Sequence, residues 1–281
     1  MIQDIAPHKY HVEFENCEPK EEDILLIFKG NSVLVREVDG RTWFPAIGEL
    51  NIKSKPEFLF KMDDTNLFMT EYEEEFEGYK FVGQEYFRTA VPMWKAFAGI
   101  TAIQIHRWYS ENKFCSRCGH ILKKGTRERS LVCENCGKTV YPNISPCVIV
   151  ALIDGSRLLL TKYNKKHSKY ARYALIAGYT EIGETFEDTV RREVYEEVGL
   201  KVKNITYYKN QPWSFTDTLL MGFFAEVDGS SEIIRDEEEL SEALWLEREE
   251  IPVNNSSISL TNEMIEVFRQ GKESMTDNIR Y

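Results

Sequence analysis

Long apolar runs are missing from this chain of 281 residues, the longest being strand-sized stretches such as Cys147 to Ile153. A membrane-spanning helix needs ~20 such residues in a row, so no membrane partner is expected. The first residues, MIQDIAPHKY, lack the basic start and apolar core of a signal peptide. Low-complexity tracts and internal repeats are absent too, and a soluble cytoplasmic protein is the expectation. An excess of positive charge is also lacking: 35 Lys and Arg face 46 Asp and Glu, a net charge of −11. That balance argues against broad nonspecific nucleic-acid binding, which needs a basic footprint, but leaves a small nucleotide substrate open. Acidic clusters at Glu71 to Glu77 and Asp236 to Glu239 inflate the total and read as solvated surface. Histidine is scarce, and His8, His11, His106 and His167 form no ligand-like cluster.

Cysteine is sparse but patterned. Cys115-x2-Cys118 and Cys133-x2-Cys136 stand fourteen residues apart. In a reducing compartment this spacing reads as one structural Zn²⁺ per chain, closed by four thiolates. Two disulfides in a small secreted module are the alternative, disfavoured by the missing signal peptide. Gly119 and Gly137 each follow a second cysteine, where a tight knuckle needs freedom from Cβ clashes. His120 is left out of the ligand set because four thiolates complete the shell. So short a segment buries too little apolar area to fold without metal. Lys123, Lys124, Arg127 and Arg129 give the tip a basic patch, open to RNA or phosphate contact or simply solvated. Cys17 has no partner at ligand spacing, and Cys147, in its apolar run, reads as a buried small hydrophobe.

The length suits about two domains plus a small module. Residues 1 to about 110 hold short β-rich stretches such as Ile24 to Lys29 and Ser32 to Glu37, and Trp94 to Trp108 has helical apolar spacing. Pro142 and Pro146 mark a joint between Thr139 and Pro146. Beyond it a hairpin is predicted from Val148 to Ile153, an Asp154-Gly155 turn, and Leu158 to Tyr163. Strands near Ile205 to Tyr208 and Leu219 to Val227 and a final helix from about Leu260 to Arg269 complete the pattern.

Between hairpin and strands lies GYTEIGETFEDTVRREVYEEVGL, from Gly178 to Leu200. Val190, Val194 and Val198 recur every fourth residue, Thr185 with Asp188 can cap the start, and Gly199 can cap the end, so its second half is predicted to be an amphipathic helix. Glu193, Glu196 and Glu197 then fall within an arc of roughly 100°, expected opposite much of the valine stripe. Three like charges repel unless a cation sits among them, and hard oxygen ligands suit Mg²⁺ or Mn²⁺. A merely solvated acidic face is the bland alternative.

Gly178, Glu184, Arg192, Glu193, Val194, Glu196, Glu197, Gly199 and Leu200 fill every fixed slot of G-x5-E-x7-R-E-U-x-E-E-x-G-U, with U aliphatic. This resembles the Nudix box, a loop-helix-loop metal site of hydrolases that cleave nucleoside diphosphates linked to another group. The run Asn210-Gln211-Pro212-Trp213-Ser214-Phe215-Thr216, the preceding four-cysteine module and Tyr141-Pro142 make the chain similar to NADH pyrophosphatases, whose marker reads S-Q-P-W-P-F-P. The resemblance covers roughly residues 105 to 281; the amino-terminal part is matched only by position and size. It implies an α+β chain: an N-terminal α/β domain over 1–110, a zinc ribbon over 111–138, and a Nudix domain over 139–281, an α/β/α sandwich with a mixed sheet.

The resemblance also implies roles. Glu193 and Glu197 ligate Mg²⁺ or Mn²⁺, Glu196 joins them or acts as base, Arg192 orients the carboxylates, Glu184 braces the loop, and Glu242 supplies a carboxylate from outside the box. Gln211 belongs to the substrate-binding marker, Trp213 and Phe215 line a base pocket, Tyr179 stacks the nicotinamide, and Tyr141 reaches the site across a homodimer. The implied reaction splits NADH or NAD⁺ into NMNH or NMN plus AMP, with removal of an NAD cap from RNA as a further activity. Asn210, Ser214 and Thr216 depart from the marker, and Asn143 stands where Arg follows Tyr-Pro. Losing two prolines removes φ restrictions and loosens the loop; losing the Arg removes a guanidinium for a phosphate or a neighbouring chain. Hydrolysis of ADP-ribose or dinucleoside polyphosphates, and a nucleotide-sensing regulator that contacts nucleic acid, are the alternatives.

Overall fold

A computed structural model describes residues 1–15, 17–164, 173–253, 256 and 258–273; His167 lies outside the described residues. Two compact units emerge, one of residues 2–143 with 214–217, the other of residue 1 with 144–213 and 218–281. Among the described residues no helix is long and apolar enough to cross a membrane.

The first unit opens with seven strands: β1 (Tyr10–His11), β2 (Ile24–Lys29), β3 (Ser32–Val38), β4 (Arg41–Trp43), β5 (Glu57–Met62), β6 (Thr65–Glu71) and β7 (Lys80–Val82). They form one sheet in the order β1-β5-β6-β2-β3-β4, with β7 also on β3 and only β2 and β6 parallel. Leu25, Leu26, Ile27 and Phe28 are all buried, which requires cover on both faces of β2. One face is filled by Leu25, Ile27, Leu34 and Phe68. On the other, Phe28 stacks flat on His106, ring centroids 4.1 Å apart, from helix α1 (Met93–Glu111). That helix is apolar nearly all round, as a buried helix must be. Gly99 lets it approach closely, since a Cβ there would overlap the Phe87 ring.

The four-cysteine segment follows in the same unit, with short strands β8 (Lys123–Lys124), β9 (Leu131–Val132) and β10 (Thr139–Val140) paired antiparallel. Its core is Trp108, Cys115, Leu122, Leu131 and Cys133.

The second unit contains β11 (Ser145–Asp154), β12 (Arg157–Tyr163), β13 (Ile176–Tyr179), α2 (Phe186–Val198), β14 (Val202–Trp213), β15 (Thr218–Val227), β16 (Leu240–Glu247) and α3 (Leu260–Arg269). The sheet runs β14-β15-β11-β12-β16 with β13 also on β11, and it is mixed because β11 and β15 are parallel while the other pairs are antiparallel. Strand alternation divides β11 between two cores. Cys147, Ile149 and Ala151 join Leu260, Met264, Ile265 and Phe268 of α3. Val148, Val150 and Leu152 join Val190, Val194 and Val198 of α2. The expected sheet between helices is therefore present, with α2 on one face and α3 on the other. Each fully buried aliphatic side chain in these layers contributes about 1.5–3 kcal/mol of transfer free energy.

Candidate active site

Helix α2 begins as its sequence dictates. The Thr185 hydroxyl oxygen accepts the Asp188 amide at 3.2 Å, and Gly199 ends the helix in the left-handed region at φ 69°. Arg192 sits at the centre of the box. Its Nε donates to Glu184 Oε1 at 2.6 Å and one terminal nitrogen to Glu184 Oε2 at 2.9 Å, a two-pronged grip. The other terminal nitrogen reaches Glu193 at 2.7 Å and Glu196 at 3.0 Å, while the Tyr179 carbonyl accepts at 2.9 Å. One guanidinium thus ties the loop, the end of β13 and the helix together. Glu184 also accepts from the Glu181 amide and the Thr189 hydroxyl. The Arg192 guanidinium and these donors hold its carboxyl down to about 2. Gly178 is required for a different reason: a Cβ there would overlap the Glu193 carboxyl, so the bare backbone of β13 makes room for the acid.

The three helix glutamates do not share one surface. Glu197 is wholly buried, Glu193 largely so, and Glu196 is 57% exposed. The helical angle explains this departure from the expected arc opposite the valines. At about 100° per residue, Glu197 falls only ~20° from Val190, on the flank of the apolar stripe. Both carboxylate oxygens of Glu197 are buried without a well-formed hydrogen bond, although the nearby Ala177 backbone favours the charged form. Burial first, then the charges of Glu239 and Glu193, push its carboxyl up to about 9. Burial also raises Glu193, against the pull of Arg192.

Glu239 is a further acid whose charge acts on this site. The segment before β16 docks on the end of α2, where the Ile234 amide donates to the Val198 carbonyl at 3.0 Å and the Asp236 amide to the Glu197 carbonyl at 2.9 Å. Open helix carbonyls are thereby satisfied, and Asp236 and Glu239 are carried to where their charges act on Glu197. The cluster Asp236 to Glu239, read from sequence as solvated surface, in part faces the acid site. Glu242, expected as the outside ligand, accepts from Lys162 Nζ at 2.5 Å on the neighbouring strand and from the Tyr173 hydroxyl at 3.4 Å. Lys162 and Glu242 face each other in the β12–β16 register. Tyr163 was missed from the sequence alone. Its phenol is raised well above its ordinary range by burial and by the charges of Glu197 and Glu239.

A buried carboxylate without a well-formed hydrogen bond, among further acids, is a donor set that fits a hard divalent cation. Glu197 and Glu193 are the residues of α2 that would hold it, with the charge of Glu239 acting on Glu197; among the described residues only the four cysteines are already drawn together as a ligand group. Burial and then the charges of Glu193 and Glu197 push the thiol of Cys147 up to about 12.

The zinc-type site is more regular. All four cysteine sulfurs lie within 4.8 Å of one another, with Cys115 and Cys136 at 3.6 Å and Cys118 and Cys133 at 3.4 Å. Tetrahedral Zn–S bonds of ~2.3 Å place sulfurs about 3.8 Å apart, so the residues fit a structural zinc. Gly119 at φ 75° and Gly137 at φ 71° close the two knuckles, their amides donating to the Cys115 and Cys133 carbonyls. The basic tip is largely engaged within its own unit: Lys123 pairs with Glu134, Lys124 with Glu57, and Arg129 with the Leu59 carbonyl.

The substrate residues expected from the marker divide. Tyr179 is 54% and Tyr141 56% exposed, the Tyr141 hydroxyl donating to Glu128 at 2.9 Å. Trp213 is half-buried against the α3-side core. Gln211 is fully buried, and its amide clamps the start of α3, donating to the Ile258 carbonyl at 2.8 Å and accepting the Leu260 amide at 2.7 Å. Phe215 is buried beneath the Arg88 guanidinium, 4.4 Å from its ring centre, in the first unit. Arg107 fixes the same turn through both Asp217 oxygens and the Ser214 carbonyl. Both Gln211 and Phe215, expected at substrate, are engaged in packing.

A family model described as NUDIX domain matches residues 144–268, and one described as NADH pyrophosphatase zinc ribbon domain matches residues 110–141. The chain is 39% identical over 150 residues to an NAD-capped RNA hydrolase NudC of Pectobacterium carotovorum subsp. carotovorum (strain PC1), covering 53% of this chain and 56% of that protein. An NAD-capped RNA hydrolase NudC of Citrobacter koseri is also 39% identical, over 151 residues, covering 54% of this chain and 58% of that one. The chain thus spans little more than half the length of the curated relatives it matches. A crystal structure of a NUDIX hydrolase from Nitrosomonas europaea superposes with a TM-score of 0.49 at 23% identity, covering 58% of this chain and 93% of that chain.

Proposed function

From a chain whose residues 144–268 form a Nudix domain behind an NADH pyrophosphatase zinc ribbon, we propose a hydrolase that splits the pyrophosphate bond of NADH or NAD⁺ into NMNH or NMN and AMP. Removal of the NAD cap from RNA, the activity named for the NudC relatives, is part of the same proposal. The observation that carries it is Glu197, buried with neither oxygen in a well-formed hydrogen bond, beside Glu193 and within reach of the Glu239 charge. These acids would hold Mg²⁺ or Mn²⁺, which would supply positive charge to the diphosphate and acidify water. Arg192 keeps Glu193 and Glu196 aimed while gripping Glu184, so the acids stay positioned through turnover. Glu196, the most exposed of the three, takes a proton as base in this proposal. Tyr179 and Trp213 offer aromatic faces for the nicotinamide and a base. The proposal includes a homodimer, in which Tyr141 is contributed to the partner's site, and a reducing cytoplasmic setting that keeps the four cysteines out of disulfides and available to zinc.

Incubating the protein with NADH and Mn²⁺ and identifying the products tests it. AMP and NMNH together are expected. Nicotinamide release, or activity on ADP-ribose or diadenosine polyphosphates far above that on NADH and NAD-capped RNA, overturns it. Salt-sensitive nucleic-acid binding without AMP release would instead identify a regulator.

A further inference from the structure

The amino-terminal unit holds a cleft of about 380 Å³ bounded by β5 and β6, the end of α1 and ribbon strand β8. That size lies within the ~300–1,000 Å³ typical of small-molecule sites. Met69 and Tyr109 supply apolar wall, and three lysines, Lys55, Lys113 and Lys124, stand around it. Two carboxylates also line the cleft, but each is already engaged, Glu57 by Lys124 and Glu71 by His106 Nε2 at 3.1 Å. Lys113 has no ion-pair partner among the described residues, and the Lys55 pairing with Glu18 is highly exposed and weak. In a chain of net charge −11, three ammoniums against two engaged carboxylates make this a locally cationic recess.

His106 provides an independent sign of incompleteness. It lines the cleft, is 4% exposed, and its Nδ1 is buried without a hydrogen-bond partner. With Nε2 facing a carboxylate, the ring proton belongs on Nε2 and Nδ1 is left as an acceptor. A donor that completes it is a hydroxyl or amine. Ser54 and Thr70, joined at 2.6 Å, add hydroxyls to the same wall. A ligand satisfying all of these is anionic at one end, hydroxylated in the middle and apolar at the other.

We propose that this cleft binds a phosphorylated ribonucleoside of mononucleotide size, as a second site independent of the box chemistry. The phosphate meets Lys55 and Lys113, the ribose hydroxyls meet the His106 and Thr70 wall, and the base lies on Met69 and Tyr109.

The test is a titration of the full-length, zinc-loaded chain with adenosine monophosphate, without added magnesium or manganese, followed by calorimetry and by backbone amide shifts. Saturable binding is expected, with shifts at Thr70, His106 and Ser110. Lys113→Glu and Lys55→Glu should each weaken it at least tenfold. Lys113 lies within the ribbon, two residues before Cys115, so its variant is checked for zinc content, and Lys55, in the loop before β5, gives a second variant away from the metal. Inorganic phosphate and adenosine should each bind much more weakly than the intact nucleotide. Unchanged affinity in both variants, or shifts confined to residues 144–268, overturns the proposal. So does a phosphorylated RNA strand that binds far more tightly than the mononucleotide with a steep salt dependence, which would reassign the cleft to RNA. Hydrolysis is not read at any point, so this site stands or falls separately from the proposed reaction.

Discussion

Glu197 occupies a position that is unfavourable for an anion until a cation arrives. Its carboxyl titrates near 9 in the folded chain against an ordinary 4.5. A raised folded value means that its contribution to stability is complete below about pH 4.5 and is lost as the pH rises toward 9. Without a divalent cation the loss at pH 8 is on the order of a few kcal/mol. Glu197→Gln should therefore melt several degrees above the parent at pH 8 without added divalent cation, and differ little at pH 5. Magnesium should raise the melting temperature of the parent at pH 8 and leave the variant unmoved, while NADH turnover in the variant falls by roughly a thousandfold or more. Equal melting curves at both pH values would remove the assignment of Glu197 as the cation's central ligand. Gly178 belongs to the same scale. Gly178→Ala places a methyl group against the Glu193 carboxyl, and turnover should drop by at least tenfold with the fold retained by circular dichroism.

Helix α2 is where an element, rather than a residue, sets the chemistry. Its cap, its valine stripe and its Gly199 stop were all legible in the sequence because each depends on spacing alone. The glutamate arrangement was only partly legible, since a turn of about 100° per residue puts Glu197 beside the stripe and hides it. What could not be read was the segment that returns to close the helix, bringing Glu239 from some forty positions later in the chain. Glu239→Gln should weaken Mn²⁺ binding and lower turnover at least tenfold, whereas Glu242→Gln, which removes the charge paired with Lys162 and the acceptor of the Tyr173 hydroxyl, should stay within a few-fold of the parent. Titration of Mn²⁺ by its paramagnetic signal, alongside kinetics, separates the two; the reverse ranking would restore Glu242. The Glu184 brace has the opposite pH sense. Its carboxyl is depressed to about 2, so its support for the loop is present above about pH 4.5 and fades only as the pH falls toward 2.

At the scale of the molecule, two cores share the sheet of the second unit, and neither can be thinned cheaply. Phe268→Ala, at a fully buried position on α3, should cost about 3–5 kcal/mol in urea unfolding. In the first unit the ribbon depends on its metal because Trp108, Leu122 and Leu131 make a very small core. Stripping zinc should abolish amide protection at Leu122 and Leu131 before the strands β2 and β6 exchange, as hydrogen exchange would show; retention of that protection would mean the ribbon folds without zinc.

Spacing along the chain by itself determined the four-thiolate site, the box helix with its caps, the β11–β12 hairpin and the α3 boundaries, because each is a local pattern whose partners lie within a few turns or one loop. Tertiary structure decided which acids meet. It buried Glu197, delivered Glu239, gave Glu242 to Lys162, and turned Gln211 and Phe215 inward to hold the α3 start and the turn under Arg88. These outcomes depend on strand register and on a distant segment satisfying open helix carbonyls, and neither leaves a periodic trace in the residues that it brings together.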